Sequence, residues 1–167
     1  MTRLETSRLY LREMIPSDAP LLVELNSDPE VVRYTGDTAF PNLKAAEDLI
    51  ASYNQYRVYR TGRLLVFLKE TNEFLGFCGL KTHLDESVDL GFRFHRKHWK
   101  QGFAHEASLE CLNYGFKELN LDQIFGHFMK ENFDSQKLLL RLGFKPFGIK
   151  KEDGHELQVY RLDRILY

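Results

Sequence analysis

The chain has 167 residues, of which 43% are hydrophobic and 13% aromatic, and its formal net charge at neutral pH is -1. This composition predicts one globular domain over residues 1–167 and excludes a largely disordered chain. The balanced charge argues against nucleic acid or an anionic membrane as a partner. The sequence has no signal-peptide or membrane-spanning pattern, and Cys78 and Cys111 form no Cys-x-x-Cys pair. We therefore expect a reducing, cytoplasmic setting.

The N-terminal third of the chain predicts a strand followed by helices. Residues 8–12 alternate between polar and apolar side chains, which indicates a half-buried strand. Helix-start signals, in which proline stands near a capping Ser, Asp or Asn, occur at 17–20, 28–30 and 41–42. The last of these precedes a helical pattern, near whose end three tyrosines either pack or line a substrate groove: Tyr53, Tyr56 and Tyr59.

The rest of the chain predicts further strands and two more helices. Turn signals separate the strands, most clearly Thr71-Asn72-Glu73 and Asp153-Gly154. Gly143 stands where a helix usually ends. The predicted strands are 64–70, 74–80, 88–94, 123–129, 145–149 and 156–163, and the predicted helices are 104–119 and 135–142.

This order of elements predicts an α+β fold, with about seven strands in one mixed sheet and helices on both faces. Strands joined by hairpins are antiparallel, so most of the sheet should be antiparallel. The helix over 104–119 instead connects strands 88–94 and 123–129 as a crossover. Those two strands are therefore expected to be parallel.

The connection that leads from strand 88–94 into the crossover helix is the most informative segment. Its turn, from Trp99 to Ala104, contains Gly102 and opens onto a helix N-terminus. Unpaired N–H groups and the helix dipole favour an anion there. This pattern predicts a site for the phosphate or diphosphate of a cofactor. Three cations stand in or beside the turn: Arg96, Lys97 and Lys100.

Four segments carry a family resemblance: residues 5–12 (ETSRLYLR), 89–92 (DLGF), 99–107 (WKQGFAHEA), and 132–135 (NFDS) followed by 142–144 (LGF). In this order and spacing they resemble the GNAT superfamily of acyl-CoA-dependent N-acyltransferases. Within it they resemble the ribosomal-protein N-terminal acetyltransferases, the RimJ/RimL-like branch. Trp99 departs from the first position of the family's Gln/Arg-x-x-Gly-x-Gly/Ala turn, as is common in this branch.

The resemblance implies the GNAT fold, with a sheet that splays at its central strand. It implies an enzyme that moves an acetyl group directly from acetyl-CoA to a primary amine, either a protein N-terminus or a small molecule. A non-catalytic CoA-binding module is the alternative, and relatives are monomers or homodimers. The implied CoA contacts are the backbone of Phe92, Arg93 and Phe94, the turn residues Trp99, Lys100, Gln101, Gly102, Phe103 and Ala104, and the side chains of Asn132 and Ser135.

The resemblance also suggests catalytic residues. Asp89 matches the position at which many relatives carry glutamate, and burial would raise the pKa of its carboxyl toward the range of a general base. His127, on the next strand, is the rival base. Ser135 is the candidate proton donor to the thiolate, because Leu139 stands where many relatives have tyrosine.

Structural roles remain open alternatives for some of these residues. Asp89 would equally suit an ion pair with a nearby cation, and Asn132 or Asp134 would suit the N-cap of the helix that follows. The pair His95-x-x-His98 lacks a third ligand at a matching spacing. We therefore expect no metal site, and we interpret both histidines as solvated.

Overall fold

The computed structural model describes the backbone of residues 1–167 and every side chain except that of Leu166. Eight strands of the described chain form one sheet, in the order β1-β2-β3-β4-β5-β6-β8-β7. The strands are β1 (Arg3–Glu5), β2 (Leu9–Arg12), β3 (Gly62–Leu68), β4 (Phe74–Thr82), β5 (Val88–Phe94), β6 (Gln123–Met129), β7 (Lys145–Glu152) and β8 (His155–Asp163). The helices are α1 (Ala19–Ser27), α2 (Pro29–Val32), α3 (Leu43–Ser52), α4 (Gln55–Tyr59), α5 (Phe103–Asn113) and α6 (Phe133–Arg141).

The predicted α+β fold is confirmed, with one strand more than expected. The additional strand β1 has 3 residues and pairs with β2, so it is too short for an alternating pattern to be visible. The helix α4, with 5 residues, was missed for the same reason. The predicted helix over 104–119 is α5 followed by a π-helical turn at Tyr114–Glu118. None of the described helices is both long enough and apolar enough to cross a bilayer.

The centre of the sheet opens between β5 and β6. These strands are parallel, as the crossover predicts, and they share the single residue pair Asp89 with Phe125. By contrast, β4 pairs with β5 from Val88 to Phe94. Beyond Asp89 the two parallel strands therefore separate, and that edge of β5 has no strand partner. The splay implied by the family resemblance is confirmed.

Each face of the sheet carries its own hydrophobic core. One core packs α5 and α6 against the sheet, and Leu139 is among its buried members. The other packs α1 and α3 against the opposite face, and Leu25 is among its buried members. Side chains alternate along β5, so Leu90 joins the first core whereas Asp89 points to the opposite face. We call the face of the sheet that packs against α5 and α6 the α5 face, and the face that packs against α1 and α3 the α1 face.

The two cysteines are distant in sequence but adjacent in space. Cys78 on β4 and Cys111 on α5 are both buried in the core of the α5 face. Their sulfur atoms lie 3.8 Å apart although 33 positions separate them in the chain. The prediction that they are buried small side chains is confirmed, and both are free thiols.

Candidate active site

The turn between β5 and α5 presents free backbone donors. Its backbone is left-handed at Lys100, with φ 60°, and at Gly102, the N-cap of α5, with φ 82°. Glycine adopts the second conformation without strain. Among the residues that the structure describes, none accepts a hydrogen bond from the backbone N–H groups of residues 100–105. These donors lie at the positive end of the α5 dipole, so they can bind an anion such as a diphosphate.

Side chains of the turn connect it to the segment that precedes it. The indole N–H of Trp99 donates to the carbonyl of Phe94, the last residue of β5, at 2.8 Å. The amide of Gln101 donates to the carbonyl of Lys97 at 2.8 Å. These contacts use side-chain donors, and they leave the backbone amides available to a ligand.

Two of the three cations noted in the sequence are held by acidic residues. Arg96 pairs with Asp28 at 3.2 Å, and Lys97 pairs with Glu73 at 2.6 Å. The sequence places both residues beside the turn but does not reveal these partners. No acidic side chain among the described residues forms an ion pair with Lys100.

A different cation, Arg8, lies over the turn. Its guanidinium carbon is 4.4 Å from the centre of the Phe103 ring, and its Nη1 donates to the carbonyl of Gln101 at 3.2 Å. Its Nη2 lies 3.4 Å from the place that a Cβ on Gly102 would occupy. Segment 5–12 carries part of the family resemblance, but no pattern within it reveals the contact of Arg8 with the turn.

Glu106 on the first turn of α5 holds Arg8 in this position. Its carboxylate accepts hydrogen bonds from Arg8 Nε at 2.6 Å, from the Arg8 backbone N–H at 2.9 Å and from Thr6 Oγ1 at 2.5 Å. Burial disfavours the charged form of Glu106, but these hydrogen bonds outweigh it and lower the pKa of the carboxyl. The residues Thr6, Arg8 and Glu106, which belong to two separate motifs of the resemblance, therefore form one structural unit.

On the α1 face, Asp89 sits in a group of charged side chains that comes from several elements. Its carboxylate is buried, with 6% of the residue exposed. Oδ2 accepts from Nη2 of Arg63 on β3 at 2.7 Å, and Oδ1 lies 2.7 Å from Nε2 of His83 in the β4–β5 loop. No sequence signal pointed to Arg63 or His83, because their meeting depends on the order of the strands.

These contacts reverse the expectation for the acidity of Asp89. Burial alone favours the neutral acid, but the charge of Arg63 and the hydrogen bonds from His83 and Arg63 outweigh it and hold the pKa of Asp89 well below its usual range. The prediction of a raised pKa is therefore wrong, and the alternative of an ion pair with a cation is confirmed.

His127 lies on β6, just beyond the residue pair at which β5 and β6 separate. Its ring is 6.1 Å from that of His83, centre to centre, and stacks on Phe125 at 6.4 Å. Burial lowers the pKa of His127, and the charge of Asp89 opposes this effect only in part. The imidazole is therefore neutral at physiological pH and has a lone pair available.

His83, Asp89 and His127 are also close enough to be considered as metal ligands. One ligand atom from each lies within 4.8 Å of the other two. Arg63, however, already places a positive charge against Asp89, and this disfavours a divalent cation in the same space. The group is better suited to proton transfer than to metal binding.

The second predicted cofactor segment begins α6. The side chain of Asn132 accepts a hydrogen bond from the backbone N–H of Ser135 at 3.2 Å, so Asn132 is the N-cap of this helix. The capping alternative is thus confirmed for Asn132. Ser135 is half-buried in the first turn. Their contacts with CoA stay a prediction.

The remaining candidates mostly have structural contacts. Ring contacts with Phe74 and Phe103 bury His95 and His98 in part, so the prediction that both are solvated is wrong. The hydroxyls of Tyr53 and Tyr56 bond to the backbone N–H and carbonyl of Arg63, whereas Tyr59 is 39% exposed. The packing alternative is therefore confirmed for the first two tyrosines.

Comparison with known proteins agrees with this architecture. The model of the acetyltransferase (GNAT) domain matches residues 8–145. The chain is 36% identical to the uncharacterized N-acetyltransferase p20 of Bacillus licheniformis, over 96% of this chain and 94% of that protein. It superimposes with a TM-score of 0.82 on spermidine N-acetyltransferase from Vibrio cholerae in complex with CoA and spermine, at 20% identity over 96% and 98% of the two chains. A GNAT-family acetyltransferase from Bacillus anthracis gives a TM-score of 0.83 at 22% identity, over 98% and 99%. The chain belongs to the GNAT acetyltransferase family and is an N-acetyltransferase.

Proposed function

We propose that the protein transfers the acetyl group of acetyl-CoA directly to a primary amine, across the opening between β5 and β6. The observation that carries this proposal is the arrangement around that opening. Free backbone amides of residues 100–105 lie at the N-terminus of α5, and a neutral imidazole, His127, lies on the α1 face beside the split. A cofactor held on one side thus reaches an acceptor on the other.

The geometry of the turn supports the cofactor contacts that we propose. The amides of residues 100–105 and the guanidinium of Arg8 bind the diphosphate of CoA. The pantetheine arm enters the split, where the backbone of Phe92, Arg93 and Phe94 offers donors that β6 does not use. Asn132 and Ser135 contact the arm from the start of α6. A donor of β5 aimed at the thioester oxygen stabilises the oxyanion of the tetrahedral intermediate.

His127 is the general base of this proposal. An amine is an ammonium ion at neutral pH, and it must lose a proton before its lone pair can attack the thioester carbonyl. A neutral imidazole accepts that proton, whereas an ionised carboxylate of very low pKa accepts it poorly. The C–N bond forms first and gives the tetrahedral intermediate, which then expels the CoA thiolate as the C–S bond breaks. The proton that the amine nitrogen still has to lose passes to the thiolate through Ser135 or through water, so that the products are the amide and the CoA thiol.

The acceptor is proposed from the relatives. Spermidine N(1)-acetyltransferase of Vibrio cholerae is 24% identical over 92% of this chain, and a neighbouring structure holds spermine. The RimJ/RimL-like segments instead favour a protein N-terminus. Both acceptors carry the primary amine that the mechanism requires, so we propose polyamines as the first compounds to test and ribosomal-protein N-terminal peptides as the second.

The release of CoA thiol across a panel of polyamines, amino acids and N-terminal peptides tests the activity. We expect His127→Gln to lower kcat by about 100-fold or more, as loss of a general base does, and to leave the affinity for CoA unchanged. His155→Gln is the matched control, since His155 is exposed in the β7–β8 hairpin. Tight CoA binding without thiol release from any amine would favour a CoA-binding module instead.

A further inference from the structure

The carboxylate of Asp89 has both oxygens engaged. Oδ2 and Oδ1 each lie 2.7 Å from a nitrogen, of Arg63 and of His83 respectively. One lone pair of each oxygen is thus directed at a donor nitrogen and not at an acceptor amine. Protonation of Asp89 would also break a buried ion pair with Arg63. Asp89 is therefore built to remain a carboxylate, although it sits beside the site of acetyl transfer.

Backbone groups of β4 and β5 hold the Arg63 side chain beside Asp89. Its Nη1 donates to the carbonyl of Gly79 at 2.6 Å and to the carbonyl of Asp89 at 3.0 Å. A Cβ on Gly91 would lie 2.4 Å from the guanidinium carbon, so only glycine leaves room there. Gly91 belongs to the DLGF segment of the resemblance, which therefore encodes the approach of Arg63.

His127 faces several charged groups. Asp89 on β5 favours its protonated form, and so does Glu152 on β7. Lys150 on β7 and His83 in the β4–β5 loop oppose that form. Asp89 is the most buried of these groups and lies within 4.8 Å of His127, and the Coulomb interaction of a buried pair is screened least by solvent. The fixed carboxylate is thus well placed to offset the cost of forming an imidazolium ion.

Resting on the proposed function, we infer that Arg63 and His83 are positioning residues that fix Asp89 as the negative partner of His127. The ammonium of the acceptor gives its proton to His127, and the imidazolium that forms is stabilised by the Asp89 carboxylate. Asp89 gains and loses no proton during the cycle. We call Arg63, His83 and Asp89 the charge array.

The pH dependence of kcat/KM tests this role. In Asp89→Asn, the imidazolium loses its partner, so the acidic limb moves to lower pH and kcat falls about tenfold because His127 is a weaker base. Lys150 on β7 lowers the pKa of His127 and Glu152 on the same strand raises it. We therefore expect Lys150→Gln to move the acidic limb to higher pH and Glu152→Gln to move it to lower pH. The inference would be overturned if the acidic limb of the kcat/KM profile did not move in Asp89→Asn. It would also be overturned if the limb disappeared in Asp89→Asn but remained in His127→Gln.

NMR of the full-length protein provides a readout without catalysis. The carboxyl ¹³C shift of Asp89 should stay constant between pH 5 and 9, because its neighbours hold the pKa of this carboxyl well below that range. The imidazole of His127 should titrate at lower pH in Asp89→Asn than in the wild type. Titration of the Asp89 carboxyl between pH 5 and 9 would contradict the charge array. Tight binding of Zn²⁺ that is lost in His83→Ala and in His127→Gln would also contradict it.

The two proposals fail in different ways. If the wild-type protein releases no thiol with any amine, the proposed function is refuted, and the NMR titrations still decide whether the charge array exists. If the wild type is active but Arg63→Lys and Arg63→Met give the same pH profile, only the charge array is refuted. We expect Arg63→Lys, which keeps a cation beside Asp89, to retain more of the wild-type profile than Arg63→Met.

Discussion

On the α5 face, the free polar groups at the turn are mostly backbone amides from one short stretch, residues 100–105, whereas on the α1 face the polar groups beside the split are side chains from four separate segments. The first set depends on the shape of a turn, so bulk and backbone conformation should matter there more than side-chain chemistry. The second depends on charges that hold one another in place, so removal of one member should affect the others. The two faces should therefore respond to different substitutions.

The largest effect is expected at the turn. Gly102→Val places a branched side chain at φ 82° and beside the guanidinium of Arg8, so we expect CoA affinity in calorimetry to fall by about 100-fold or more. Gly154→Val is the matched control, because Gly154 has φ 77° with open space around its Cβ position, in the β7–β8 turn. Equal losses of CoA affinity in both variants would mean that backbone strain, and not the site, is responsible.

Removal of a charge on the α1 face should act on stability. Arg63→Met leaves the buried carboxylate of Asp89 without its ion pair, which should lower the free energy of unfolding by about 3–5 kcal/mol. Arg164→Met is the control, since its partner Asp122 is 84% exposed and such pairs contribute about 0–1 kcal/mol. Urea denaturation measures both. A loss no larger than that of the control would show that the buried pair does not stabilise the fold.

The same pair predicts a pH dependence. Folding lowers the pKa of Asp89, so its contribution to stability is complete above the unfolded value of about 3.9 and is lost as the pH falls through the folded value. The difference in unfolding free energy between wild type and Arg63→Met should thus narrow as the pH falls, because the wild type loses its ion pair below about pH 4 and the unpaired buried carboxyl of the variant is relieved by protonation. A difference that stays constant from pH 8 to pH 3 would show that Asp89 does not contribute in this way.

The smallest effect is expected at Arg8, the side-chain cation that lies over the turn on the α5 face. Arg8→Met should weaken CoA binding about tenfold, as the loss of one charge-assisted hydrogen bond does, and should leave the binding of pantetheine, which has no diphosphate, unchanged. Arg96→Met is the control, because Arg96 pairs with Asp28. If pantetheine loses as much affinity as CoA, Arg8 acts by shaping α5 through Glu106.

Much of the site on the α5 face could be predicted from the sequence, because the residues that form it are neighbours in the chain. The strand, the turn and the helix are contiguous, so Gly102 and the free amides at the helix start follow from one stretch of sequence. The crossover also gave the parallel pairing of β5 and β6. Arg8 was missed, since its approach requires β2 to pack beside α5.

The sequence by itself determined seven of the eight described strands, the crossover and the turn with free amides, since backbone conformation is set largely by residues that are adjacent in the chain. Only the tertiary structure decided the chemistry of the α1 face. Asp89 and His127 were visible as candidates, but Arg63 and His83, which set the acidity of Asp89, come from a distant strand and a loop. Burial was foreseeable from the pattern, whereas the balance between burial and a partner charge was not. The pKa of a group depends on every charge near it in space, and that neighbourhood exists only after the sheet has assembled.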